Sequence, residues 1–223
     1  MRGVSAHALR LTEDRFAPHV TSARTLAPCN RVLYVLAGDI TLKEADAAVH
    51  IVADTARHSD RACQVEAGGD GATVLRYELV RAGTPEAETG GISRRLLEHP
   101  IVLDERALYL MRCDRVDFDL GGVALPHRHQ GGGIRCLIAG TMELRVEGEP
   151  DRIIHPGQAW FESGREPVYA AASRDTPTAF VRCSILPRAI EGQSSIIYVD
   201  PEDARRGRPR KYTVHVDEPI ELM

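Results

Sequence analysis

The sequence of 223 residues has no stretch approaching the ~18 consecutive apolar residues that a membrane helix needs. Its opening, MRGVSAHALRLTEDRF, contains no apolar core of a secretory signal. The five cysteines, Cys29, Cys63, Cys113, Cys136 and Cys183, form no Cys-x-x-Cys pair, and their odd number excludes a fully paired disulfide framework. Free thiols in a reducing cytoplasm are therefore expected. Charge of one sign is lacking too: 28 Lys and Arg stand against 32 Asp and Glu, a net charge of −4. That balance argues against a whole surface built to grip nucleic acid or an anionic membrane. Helical periodicity is confined to Ile40–Ala56, where Thr41 and Glu44 have capping-box spacing, and to Gly91–His99. The first of these, ITLKEADAAVHIVAD, reads equally well as a strand and a loop.

What the sequence does contain is enough apolar residues for a core, at 43%, cut into short runs by Gly, Pro, Asp and Asn. GATVLRYELV, RVDFDLGG, IRCLIAG, TMELRVEG and TAFVRCSIL are examples, and this spacing predicts an all-β sandwich or barrel. The chain also repeats itself. RVLYVLAGDITL, from Arg31, resembles GIRCLIAGTMEL, from Gly133, and ATVLRYEL, from Ala72, resembles TAFVRCSI, from Thr178. The offsets are 102 residues (Gly38 to Gly140) and 106 residues (Arg76 to Arg182). Two matches in order at nearly one offset indicate two copies of a domain of about 100 residues. The linker-like RAGTPEAETGG places the boundary near residue 90, giving domains 1–90 and 91–223.

In the second copy, Gly121 is followed by five residues and then His127-Arg-His129, and Gly133 is followed by six residues and then Gly140. This spacing resembles the first motif of the cupin superfamily, and IHPGQAWFESG, from Ile154, looks like the second. The resemblance implies two cupin-type jelly-roll β-barrels in tandem with short helices, a bicupin with a degenerate first repeat. It also implies a metal held by two His and a Glu from the first motif and a His from the second. Here His127 and His129 are present, whereas the Glu position is Gly133 and the second-motif His position falls near Pro167. In the first repeat Thr25, Ala27 and Arg31 stand at the corresponding positions, so no metal site is recognisable there.

On a strand, His127 and His129 point to one face, a start for coordinating one divalent transition metal such as Fe, Mn, Ni, Cu or Zn. Three protein ligands are the usual minimum, and His155, Glu162, Gln130 and Glu143 are the candidates for a third. If Gly133 faces inward, alternation turns Arg135 inward as well, either to anchor an acidic ligand or to pair with Glu162, Glu143 or Asp117. The dipeptide Arg-Cys recurs at Arg112, Arg135 and Arg182, which would line one cavity if their strands face alike. Trp160 shares a face with Glu162, as a pocket wall or a core aromatic, and Glu162 is the carboxylate to consider as ligand or base. Gly131-Gly-Gly133 reads as a flexible segment that leaves room for a ligand. ARRGRPRKY, around residues 205–211, resembles an AT-hook, although a solvated basic loop is the commoner meaning of such a run.

Three functions follow as expectations. The first is a cupin-fold protein binding a small, acidic organic ligand in the C-terminal barrel through Arg135, Trp160 and Glu162, with or without a metal on His127 and His129. The second is a metal-dependent dioxygenase, isomerase or lyase acting on a small organic acid. The third is a DNA-associated regulator using the basic loop. The resemblance further implies a homodimer, since sheet edges invite pairing.

Overall fold

The computed structural model describes residues 4–22, 24–206 and 209–223. Among them regular structure consists of β-strands and two single-turn 3-10 helices, Arg188–Ile190 and Pro201–Arg205, with no α-helix. The chain divides into two compact units, one made of Met1–Ala107 with Ile220–Met223 and the other of Leu108–Pro219.

The first unit contains β1 (Val4–Phe16), β2 (Asn30–Lys43), β3 (Ala48–Val52), β4 (Ala56–Ser59), β5 (Gln64–Arg81) and β6 (Ile92–Asp104). They form one antiparallel sheet in the order β3-β2-β5-β1-β6, with β4 also on β2. Both segments with helical periodicity are strands. Ile40–Lys43 pairs with β3 across a turn in which the Glu44 N–H donates to the Ala47 carbonyl at 2.8 Å. The β-branched Ile40, Thr41, Val49, Ile51 and Val52 favour that hairpin, and sheet pairing overrides the weak helical spacing. Gly91–His99 runs into β6, which pairs along its length with β1. That pairing carries β6 into the first unit, so the units divide after Ala107 rather than near residue 90.

The second unit holds β7 (Tyr109–Phe118), β8 (Val123–His129), β9 (Gly133–Ala139), β10 (Met142–Val146), β11 (Arg152–Ile154), β12 (Ala159–Glu162), β13 (Val168–Ala172), β14 (Thr178–Pro187), β15 (Ile196–Tyr198) and β16 (Arg210–Ile220). Two five-stranded sheets result, β11-β10-β13-β8-β15 and β12-β9-β14-β7-β16. Alternation turns Val116, Leu137, Trp160 and Phe180 of one sheet onto Met142, Leu144, Val168 and Ala170 of the other, and these buried residues form one core. The Trp160 ring stands edge-on to Phe180 with centroids 5.5 Å apart. The chain crosses between the sheets at Gly140, whose φ of 71° brings its Cα so near β14 that a Cβ would sit 2.3 Å from Thr178 Oγ1. The strand order β4-β2-β5-β1-β6 of the first unit recurs as β12-β9-β14-β7-β16 in the second.

Candidate functional site

Above the apolar core of the second unit lies a band of buried charge, placed there by strand register. Arg135 on β9, Arg182 on β14 and Asp114 on β7 are direct cross-strand neighbours, and Trp160 on β12 lies opposite Arg135. Because side chains alternate, this row faces the interior. From the other sheet, β8 presents His127 and His129 to the same space, with ring centroids 4.8 Å apart and planes nearly perpendicular at 88°.

The groups lie in close contact. Glu162 Oε1 accepts from Trp160 Nε1 at 2.8 Å, while Oε2 lies 2.8 Å from Arg135 Nη2 and 3.3 Å from His129 Nε2. Arg135 also donates from Nη1 to the Gly133 carbonyl at 2.6 Å. Arg182 makes a two-pronged ion pair with Asp114, its Nε donating to Oδ1 at 3.0 Å. Arg112 does the same with Asp217, both contacts at 2.8 Å, and donates to the Gln193 carbonyl at 2.6 Å. Burial works to raise the Glu162 carboxyl, but the Arg135 guanidinium and the imidazoles of His129 and His127 hold it well below the usual carboxylate range. Burial pushes His129 down to about 3 and lowers His127 as well, so both rings are neutral near pH 7.

The hydrogen-bond partners assign the tautomers. His127 Nδ1 donates to the Leu125 carbonyl at 2.8 Å, leaving Nε2 with its lone pair. His129 faces a carboxylate, which can only accept, so its Nε2 carries the proton and Nδ1 accepts from Ser195 Oγ at 3.3 Å. This arrangement does not fit a metal. The His129 nitrogen that faces Glu162 is protonated, and Glu162 is already matched to a guanidinium. No group of three His, Cys, Asp or Glu side chains among the described residues has ligand geometry.

Sequence reasoning brings His127, His129, Arg135, Trp160 and Glu162 to one place, and the structure has all five around one small chamber. The other candidates lie elsewhere. His155 is exposed on the turn after β11, where its N–H donates to Gln158 Oε1. Gln130 reaches the Ser194 carbonyl at 3.3 Å. Glu143 alternates onto the outer face with Arg145, and Asp117 pairs with Arg115. Gly133 leaves no room for a ligand. The β14 backbone approaches so closely that a Cβ would meet Ser184 Oγ at 2.3 Å and the Cys183 carbonyl at 2.6 Å, which excludes a Glu at that position.

The chamber holds about 20 Å³, room for one water-sized species. Beside it, sharing Arg182 and Tyr212 as a wall, a cavity of about 410 Å³ opens among Arg112, Asp114, Ser195, Ile196 and Val214. Of these residues, sequence analysis singled out only Arg112 and Arg182, through the recurring Arg-Cys. The alternation Arg210, Tyr212, Val214 was the available signal for Tyr212 and Val214, and Asp114, Ser195 and Ile196 carry none. Among the described basic residues of the loop, Arg205, Arg206 and Lys211 are exposed, as a solvated run requires, and Arg210 alone departs from that expectation. Arg205 pairs with Glu202 at 2.9 Å, Arg206 pairs with Asp203 at 3.2 Å, and Arg210 is buried; Gly207 and Arg208 lie outside the described residues.

No family model matches the chain, and no curated protein matches it. Solved structures do. AerE from Microcystis aeruginosa is 15% identical with a TM-score of 0.59, over 81% of this chain and 88% of that one. A mutant of the Bacillus subtilis oxalate decarboxylase OxdC is 10% identical with a TM-score of 0.64, over 95% and 81%. The formate complex of the Lactobacillus farciminis oxalate decarboxylase is 12% identical with a TM-score of 0.65, over 90% and 82%. At such identities the likeness is one of fold, and the chain has the all-β, cupin-type jelly-roll architecture.

Proposed function

We propose that the chain is a bicupin whose C-terminal unit binds a small organic acid in the cavity of about 410 Å³ at the mouth of its barrel. The observation that carries this reading is the wall shared with the buried chamber. Arg182 directs Nε and Nη2 to Asp114, while its Nη1 makes no hydrogen bond among the described residues and is the donor left for a carboxylate. Tyr212, Ile196 and Val214 offer apolar surface for the body of the acid. The ligand position therefore moves from Arg135, Trp160 and Glu162, which are engaged with one another, to the neighbouring cavity.

A titration with small mono- and dicarboxylates, read by calorimetry, tests this. Val214 is exposed, so Val214→Trp fills the cavity without disturbing the core, and an affinity loss of about tenfold or more is expected. No binding by any acid, or equal binding by the variant, would overturn the reading. A metal-dependent enzyme acting on an organic acid is the second reading, favoured by the paired imidazoles of His127 and His129. It requires Glu162 to release Arg135 and His129 to change tautomer. Metal per chain after incubation with Fe, Mn, Ni, Cu or Zn separates the two, a value near one supporting the enzyme and a value near zero the binding protein.

A further inference from the structure

The chamber contains one more cation than it has anions to match. Arg135 is neutralised by Glu162 and Arg182 by Asp114. The third guanidinium is Arg210 on β16, 8% exposed and facing the chamber. Its Nε donates to the Tyr212 hydroxyl, Nη1 to the Val123 carbonyl at 3.3 Å and Nη2 to the Tyr198 hydroxyl at 3.5 Å. The faces of Phe118 and Tyr212 lie 5.9 and 5.7 Å from its guanidinium carbon. All of these partners are neutral, and no carboxylate among the described residues lies within ion-pair distance. Arginine cannot shed its proton, so an unmatched buried guanidinium is costly unless an anion joins it.

We propose that this chamber is a binding site for one small inorganic monoanion of halide size, held by Arg210 and the Tyr212 hydroxyl. Three observations converge on it. The surplus is a single positive charge, which sets the valence. The free volume of about 20 Å³ is small, which favours a small anion over larger acids. The Tyr212 hydroxyl accepts from Arg210, so its own proton is available to donate. This site is separate from the mouth cavity and stands whether or not an organic acid binds there.

Two measurements on the full chain decide the matter. Crystals grown with bromide are expected to show one anomalous peak beside the Arg210 guanidinium in the chamber. In solution at constant ionic strength, replacing sulfate with chloride or bromide at about five times its dissociation constant is expected to raise Tm by about 2–4 °C. Arg210→Met removes the surplus charge, so it is expected to lose the halide response while remaining folded in sulfate. Arg210→Lys, which keeps the charge, retains a response and serves if the Met variant does not fold. Bromide crystals without a chamber peak would overturn the proposal, as would equal halide responses from the wild type and Arg210→Met.

Discussion

The two units build the same strand order and place an arginine at the same point of the repeat, Arg76 in the first and Arg182 in the second, yet they treat the charge differently. In the first unit, register sets Arg31, Glu78, Arg10 and Glu98 side by side across β2, β5, β1 and β6, alternating in sign. Arg31 and Glu78 meet at 2.8 Å, Arg10 and Glu98 at 2.8 Å, and Arg76 is held by Asp14 at 2.7 Å and by Glu78. In the second unit the positions of Arg31 and Glu78 are taken by Gly133 and Ser184, again direct neighbours. Removing that long, mutually neutral pair leaves the space above the core into which Glu162, His127 and His129 project. The comparison teaches that, on a shared strand order, exchanging one cross-strand ion pair for Gly133 and Ser184 is one change that separates a closed polar interior from an open one.

The largest effect is expected from breaking the closed unit. Glu78 serves two buried guanidinium groups, so Glu78→Gln leaves Arg31 without its carboxylate and Arg76 with Asp14 alone, and should cost about 3–5 kcal/mol in denaturant unfolding of the first unit. A loss below about 1 kcal/mol would mean that water or backbone carbonyls replace the carboxylate, as the bond from Arg31 Nη2 to the Ala27 carbonyl already does in part.

The open unit should instead be marked by its histidines. A buried His129 at about 3 takes up its proton far more readily when unfolded, near 6.5, so its contribution is complete above pH 6.5 and is lost as pH falls toward 3. The slope is about 1.4 kcal/mol per pH unit, to which His127 adds in the same direction. The lowered Glu162 carboxyl adds its own loss only below its ordinary 4.5. His129→Gln should remove its share of the slope between pH 6.5 and 4.5, measured as unfolding free energy against pH. An unchanged slope would place the proton uptake elsewhere.

The smallest effect sharpens the same contrast. Replacing Arg135 and Glu162 together by Met removes a buried pair as a unit, so stability should change by about 1 kcal/mol or less, or rise. Glu162→Gln alone should cost about 3 kcal/mol or more, because Arg135 and His129 are then left facing a neutral amide. Similar losses in the double and single variants would mean that the pair is required by the packing around it.

Much of this was legible in the sequence. Short apolar runs between turn residues carried the all-β architecture, and the match of Gly38 to Gly140 and Arg76 to Arg182 anticipated the recurring strand order. His-x-His on a strand put two imidazoles on one face, and alternation from Gly133 turned Arg135 inward toward Glu162. Arg210 was not legible. It stood among the five basic residues of 205–211, a run that reads as a solvated loop, and only the start of β16 at Arg210 carries its side chain into the barrel. The large cavity was hidden for a similar reason, since Arg112, Arg182, Ser195 and Tyr212 are far apart in the chain and no short-range pattern joins them.

By itself, then, the sequence determined what depends on local period and spacing: strand formation, the duplicated plan, and which residues of a strand share a face. These follow from a two-residue alternation that operates within each strand. Tertiary structure decided what depends on cross-strand register and backbone approach. That Arg182 meets Asp114, that Gly133 is pressed against β14, and that Arg210 is buried without a carboxylate are all set by which strands lie adjacent. Such pairings join residues far apart in the chain, and a shift of one residue would turn every one of them to the other face.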